Sequence, residues 1–377
     1  MKNKILMIYD DISYGGGAER VICNFSNSLI ASGYEVMVFS IALSKQCPYE
    51  YHQEVAIRFI KENVKPKGLA KVLHEIKRLI MPIKKWNEIK KRAVFKQAIN
   101  EFNPDFIICH THFDTSLTKI FKKCKIKLFK VIHNSFDAYE KWQIDLNIYK
   151  NIVLLSNHDI DKFKTKYPNA NFYIIPNFIP NISNLNTNYS QKVVLSMGRI
   201  EKTNQKGFLR LIDIWKLIQD SGEFKDWKLH IVGDGDLKEK IKNKIKDLNL
   251  TNSIILKPFT KDVESEYLSA SIYAMTSHFE GLPMVLIEAQ SYALPTISFD
   301  IATGPRDIIE NDKSGYLIED NNLNEYANKL KTLMSDESLR AKMGAKSKEI
   351  VKSKFSKEVV IKQWMELFKK IKNQNNS

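Results

Sequence analysis

"NFIPNISNLNTNYSQKVVLSMG", residues 177–198, decides how this chain is organised. Residues 177–191 are rich in Asn, Ser and Pro and poor in large apolar side chains, the composition of a connection. Residues 192–198 are a short apolar run closed by glycine, the pattern of a buried strand. Ahead of this stretch stand "KILMIYD" (4–10), "EVMVFSI" (35–41), "DFIICHTH" (105–112), "KLFKVIHN" (127–134), "NIVLLSN" (151–157) and "FYIIPN" (172–177). Behind it the alternation restarts with "WKLHIVG" (227–233), "SIILKPF" (253–259), "IYAMTS" (272–277), "PTISFD" (295–300) and "GYLIE" (315–319), and the chain closes in three helices near 321–334, 336–353 and 356–373. Apolar strands separated by helices specify parallel sheets covered on both faces. Two such series predict an α/β chain of two doubly wound, Rossmann-like domains facing each other across a cleft, with ligands at the carboxyl ends of the strands. The expected divisions are 1–180, 181–355 and a last helix, 356–377, packing back toward the first domain.

A length of 377 residues suits two domains, and 44% hydrophobic with 27% charged residues is a globular composition. No apolar run reaches the ~20 residues of a membrane span. The first apolar run ends at Tyr9, before Asp10 and Asp11, too soon for a signal-peptide core. Cys23, Cys47, Cys109 and Cys124 lack C-x-x-C spacing and read as thiols of a reduced, cytoplasmic chain. The net charge of +15 comes from 50 Lys and only 8 Arg, without the bidentate arginines or interleaved aromatics of base readout, which argues against nucleic acid. Residues 61–96 hold 12 Lys/Arg and 3 Glu, with Ile76, Leu79, Ile80, Ile83 and Trp86 near helical spacing and Pro82 as a kink. The stretch reads either as a solvated helix or as a patch for anionic lipid headgroups at the inner face of the plasma membrane.

Several residues fall at strand ends. Gly15, Gly16 and Gly17 follow the first strand and open a helix, where backbone amides can approach an anion. Arg199 and Lys206 follow the first strand of the second half and suit a phosphate or diphosphate. His133 ends a buried strand, as do His110 and His112, an H-x-H pair with no further metal ligand nearby. Asp234 and Asp236, in "DGD", open a helix and read as caps before metal ligands. Glu280 precedes Pro283, expected at the first helical position, and Glu288 lies about five residues into that helix, roughly 7–8 Å along its axis. Carboxylates at that offset, with free amides between them, suit a ligand carrying hydroxyls at both ends and an anion in the middle.

These motifs resemble the retaining glycosyltransferases of family 4, with GT-B architecture. "HFEGLPMVLIEA" (278–289) matches that family's E-x7-E element, "SMGRIEKTNQKGF" (196–208) its G-R…K-G element, "IVGDGDLKEK" (231–240) its glycine turn, "GGGAERV" (15–21) its first loop, and "ATGPRDIIENDKSGYLIE" (302–319) also fits. The resemblance implies that Glu280 and the amides of Gly281, Leu282, Met284 and Val285 hold the donor sugar, while Glu288 takes the ribose. It further implies that Arg199 and Lys206 neutralise the leaving diphosphate, that His133 lies beside the transferred sugar, and that Gly16, Gly17 and Phe259 join the donor site. Arg199 and Lys206 are seven positions apart where the family usually has five or six, which makes Lys202 the alternative cation; Pro283 stands where many members have glycine. The implied activity moves a hexose or N-acetylhexosamine, with retention and without cofactor or metal, from a UDP-linked sugar to a lipid-linked, lipopolysaccharide or capsule acceptor. A nucleotide-sugar epimerase of the same architecture, a nicotinamide oxidoreductase and a non-catalytic membrane module are the competing classes.

Overall fold

A computed structural model describes residues 2–13, 16–41, 47–60, 83–110, 120–121 and 126–374, with 83–91 described as backbone. The chain divides into two compact units: Met1–Leu154 with Ile160–Ile175 and Ile361–Ser377, and Leu155–Asp159 with Pro176–Val360.

The first unit holds strands β1 (Lys4–Tyr9), β2 (Glu35–Ser40), β3 (Ala56–Phe59), β4 (Phe106–Cys109), β5 (Lys127–Ile132), β6 (Asn151–Leu154) and β7 (Asn171–Ile174), in the order β3-β2-β1-β4-β5-β6-β7. Every pairing is parallel. β1 and β4 are buried from end to end or nearly so, as strands covered on both faces must be. β3 was not foreseen: it is an edge strand with a half-exposed pattern, and Arg58 interrupts its apolar character. The last helix, Lys357–Asn373, adds Trp364 and Phe368 to this unit, their rings 5.0 Å from Phe25 and 4.8 Å from Phe106 respectively. The expected kink at Pro82, and all of 61–82, lie outside the described residues; the helix Ile83–Phe102 begins immediately after.

The second unit holds β8 (Val193–Met197), β9 (Lys228–Val232), β10 (Ile254–Lys257), β11 (Ile272–Met275), β12 (Thr296–Asp300) and β13 (Gly315–Glu319), in the order β10-β9-β8-β11-β12-β13, again all parallel. Trp215, on the helix Phe208–Asp220, is fully buried, and its indole N–H donates to Ser253 Oγ at 3.1 Å, so its size enters the core without an unpaired donor. Residues 177–191 are stitched to this unit and are no loose tether. Phe178 and Ile179 are buried, Thr187 Oγ1 donates to the Ala270 carbonyl, and Tyr189 Oη donates to the Ala293 carbonyl at 2.8 Å.

Both sheets reverse direction once. In the first the reversal lies between β1 and β4, and in the second between β8 and β11. At such a switch point the loops leaving the two strands diverge to opposite faces and leave a crevice at the carboxyl edge. The loops after β1, β8 and β11 carry Gly16, Arg199 and Glu280.

Candidate active site

In the second unit the loops leaving β8 and β11 are laced together. His278 N–H donates to the Gln205 carbonyl at 2.8 Å, and Gln205 Nε2 donates to the Phe279 carbonyl at 3.1 Å. Gly207, at φ +67°, caps the helix Phe208–Asp220; a Cβ there would stand 1.8 Å from the Thr276 carbonyl oxygen, so only glycine permits the approach. Arg210, one turn on, is buried: its Nε donates to Thr276 O at 2.7 Å, another arm donates to Ser277 O, Nη1 reaches Asp320 Oδ1 at 2.7 Å, and its guanidinium lies 4.2 Å over the Phe299 ring. This arginine ties the exits of β11 and β13 to the start of one helix.

The lacing brings Lys206 and Glu280 together, Nζ to Oε1 at 2.7 Å. Glu280 is buried and Lys206 largely so. The Lys206 stem runs across Gly198, where a Cβ would come within 3.0 Å of Lys206 Cγ. Thr303 Oγ1 donates to the Glu280 carbonyl, fixing that peptide. Lys202 is exposed. Arg199 is exposed too, and holds Glu201 at 3.1 Å, a surface pair worth only about 0.2–1 kcal/mol and therefore easily exchanged for a stronger anion.

Pro283 is the N-cap of the helix Met284–Ser291, not its first residue, at φ −72°, ψ 97°. The residue before a helix lies in extended space, and proline accepts that as readily as the first helical position. No side chain caps this helix and no acid occupies its first turn. Its first amides, Met284 and Val285 included, have no intrahelical acceptor, and they carry the positive end of the helix dipole. Gly281 and buried Leu282 lead into that turn. Glu288, on the second turn, accepts from Tyr267 Oη at 3.0 Å at its Oε2; Tyr267 is itself fully buried and stacked 5.2 Å from Tyr292.

Asp234 does not cap the helix Lys238–Asp247, whose N-cap is Leu237 without a side-chain bond. Its carboxylate instead accepts from the Phe259 amide at 2.8 Å and pairs with Lys238, and these partners lower its pKa. The aspartate braces the exit of β10, where the Phe259 ring is 63% exposed. Among the described residues no three His, Cys, Asp or Glu cluster as metal ligands.

In the first unit Gly16 is the N-cap of the helix Gly17–Ala31, at φ −94°. A Cβ on Gly17 would meet nothing within 4 Å among the described residues. Backbone strain therefore does not call for glycine at Gly16, nor does a packed neighbour among the described residues call for it at Gly17. Tyr49 Oη donates to the Gly16 carbonyl at 2.9 Å, and Tyr9 Oη donates to Glu19 Oε1 at 3.0 Å, which anchors the first turn. Gly15 and His112 lie outside the described residues. His133 stands at the exit of β5, its Nε2 2.9 Å from His110 Nδ1. Two imidazole nitrogens on one tetrahedral zinc ion stand about 3.3 Å apart, so this contact is a hydrogen bond between rings. Burial, with the nearby Lys130 ammonium second, pushes the His133 pKa down to about 3.

Arg210, Thr303, Tyr267 and His110 as a partner of His133 were not picked out from the sequence. Arg210 follows the K-G pair by three positions, and a charged residue on an otherwise apolar helix face is the one local signal among them.

A family description of group 1 glycosyl transferases matches residues 179–350, and one of glycosyltransferase family 4 matches residues 15–181. An amylovoran biosynthesis glycosyltransferase of Erwinia amylovora is 30% identical over 376 residues, covering 97% of this chain and 99% of that one. Among solved structures, a mutant of Staphylococcus aureus TarM in complex with fondaparinux, alpha-GlcNAc-glycerol and UDP superposes with a TM-score of 0.78 at 20% identity, covering 97% of this chain and 99% of the other. The apo lipopolysaccharide outer core galactosyltransferase WaaB gives 0.75 at 21% identity over 97% and 99%. With its two all-parallel sheets and these likenesses along nearly its whole length, the chain belongs to the family 4, group 1 glycosyltransferases and has the GT-B fold.

Proposed function

We propose that this enzyme transfers a hexosyl or N-acetylhexosaminyl group, with retention, from a UDP-linked sugar to a lipid-linked, lipopolysaccharide or capsule glycan. The observation that carries the reading is the constellation at the second unit's switch point. Glu280, Glu288 and an uncapped helix start share one short segment, with Arg199 and Lys206 on the neighbouring loop. Carboxylates accept from sugar hydroxyls, while amides and the guanidinium favour a diphosphate. A donor with sugar, diphosphate and ribose in sequence meets each group in turn. Uridine is favoured because the S. aureus TarM structure holds UDP, and a surface-glycan acceptor because the relatives' names concern amylovoran and lipopolysaccharide.

The chemistry asked of the site is stabilisation of a leaving group. As the bond from anomeric carbon to phosphate oxygen lengthens, negative charge grows on the diphosphate, and cations and amides already in place meet it without reorganising. The Lys206–Glu280 pair has no net charge, so Arg199 and the helix amides supply most of the attraction before the donor arrives, and Lys206 adds its charge as Glu280 turns to the sugar. Gly16 and Gly17 leave room for substrate at the first unit's edge, and at Gly17 no neighbour among the described residues calls for glycine. Residues 61–96 would hold the enzyme to an anionic bilayer.

The test is a panel of nucleotide sugars, each incubated with and without a lipid-linked acceptor. Acceptor-dependent release of UDP, with an α-linked product from an α-linked donor, is expected. Sugar conversion without acceptor would replace the reading with an epimerase.

A further inference from the structure

Lys130 and His110 lie toward the first unit's carboxyl edge, and the proposed reaction has not used them. Lys130 lies on β5 three positions before His133 and is 1% exposed, a rare fate for a lysine. Its Nζ lies 6.0 Å from the centre of the Tyr139 ring. The His133 backbone in turn acts on the Tyr139 hydroxyl, offsetting part of the rise that burial imposes on it. Lys130, Tyr139 and His133 thus form one packed group, closed on the other side by His110 with its ring 5.1 Å from that of His133.

We propose that His110 and Lys130 are positioning residues that hold the His133 imidazole uncharged and in one orientation toward the transferred sugar. The proposal rests on the assignment of His133 to the site made above.

A ring-to-ring contact of 2.9 Å accommodates one bridging proton. Two imidazolium rings would set N–H against N–H, so the contact admits at most one charge on the pair, and the burial of His133 beside Lys130 disfavours placing that charge on His133. Among the described residues, Lys130 on β5 acts on His133, and Lys130 in turn has around it Cys109, beside His110 at the end of β4, Asp10 after β1, and Tyr139 on the helix Phe136–Lys141. Burial lowers the Lys130 pKa while Cys109 and Asp10 pull it back up, and the lysine in turn disfavours a cation on His133. The neutral state matters for the reaction. Positive charge builds on the sugar as the leaving group departs, and an imidazolium beside it would oppose that charge. A neutral ring held in place hydrogen-bonds the sugar at no electrostatic cost.

The experiment combines imidazole nitrogen NMR on the full chain with kinetics on the donor chosen by the screen. The wild type is expected to show a His133 midpoint below pH 5 and a bridging imidazole proton. Lys130→Met should raise the midpoint by at least about one unit. His110→Ala should lose the bridging proton and lower kcat about tenfold or more with donor KM changed less than about threefold, while His110→Asn, which keeps a polar atom near Nδ1, recovers most of the rate. Thermal melting identifies any variant that fails to fold, and His110→Asn then decides. A His133 midpoint near 6.5 in the wild type, or full kcat in His110→Ala, overturns the proposal. Full activity in His133→Ala overturns instead the placing of His133 in the site.

Discussion

Glu280→Gln separates the carboxylate's charge from its shape. Glutamine keeps an oxygen where Lys206 Nζ now sits at 2.7 Å, but loses the ion pair. Exposed pairs are worth about 0.2–1 kcal/mol, and breaking a fully buried one costs about 3–5 kcal/mol. With Glu280 9% exposed and Lys206 21%, and one hydrogen bond retained, the loss falls between these limits, at about 1–2 kcal/mol. In a unit of this size about 1 kcal/mol moves the melting midpoint by roughly 2–4 °C, so a drop of about 2–8 °C is expected. Activity should fall further. A charged acceptor facing a sugar hydroxyl contributes about 1.5–3 kcal/mol, or roughly 10–150-fold in kcat/KM. Scanning calorimetry and initial-rate measurement of UDP release read the two effects. Lys206→Met and the double variant complete a cycle, in which a coupling of at least about 0.5 kcal/mol in stability is expected for residues in contact. A Glu280→Gln enzyme with unchanged midpoint and kcat/KM within about threefold of wild type would refute both the pairing and the donor role.

Three further outcomes are expected. Burial holds the His133 pKa down to about 3, so it stays neutral in the fold while the unfolded chain protonates near 6.5; stability is therefore full above that pH and falls as the pH drops from about 7.5 to about 5, by up to about 1.4 kcal/mol per unit, and His230 and His278, both lowered chiefly by burial, add in the same direction. A urea midpoint that is flat or rising over that range would contradict this; the lowered aspartates Asp226, Asp234 and Asp262 titrate below it and do not interfere. On the proposal that Arg199, Lys206 and helix amides supply the charge, transfer should persist in EDTA; loss on chelation with rescue by manganese would return Asp234 and Asp236 as ligands. Replacing Lys84, Lys85, Lys90 and Lys91 with glutamine should weaken binding to anionic but not neutral liposomes and lower activity on lipid-linked acceptor more than on a short soluble one, whereas equal loss on both acceptors would remove the membrane reading.

The alternation of apolar strands and helices was legible because a strand buried on both faces tolerates few polar residues. Among the described residues every strand but β3 was read from the sequence; β7 and β10 share its edge position and part-exposed pattern, but β3 is a four-residue run interrupted by Arg58. The E-x7-E spacing was legible because both glutamates belong to one loop and one helix, and local geometry sets their separation. Strand order was not legible, since hydrogen bonding between β8 and β11 joins residues far apart in the chain, Ile272 against Val194, and it is that order which makes a crevice between their loops. Nor did spacing reveal that Lys206 meets Glu280, 74 positions on, or that His110 meets His133 across β4 and β5. Pairing of charges and rings across loops depends on which strands become neighbours. The sequence by itself therefore determined the elements, the family and the chemical character of the strand ends, because each is written in short-range pattern. Only the tertiary structure decided which of those groups touch and in what ionisation state, because contact and burial arise when distant segments are packed together.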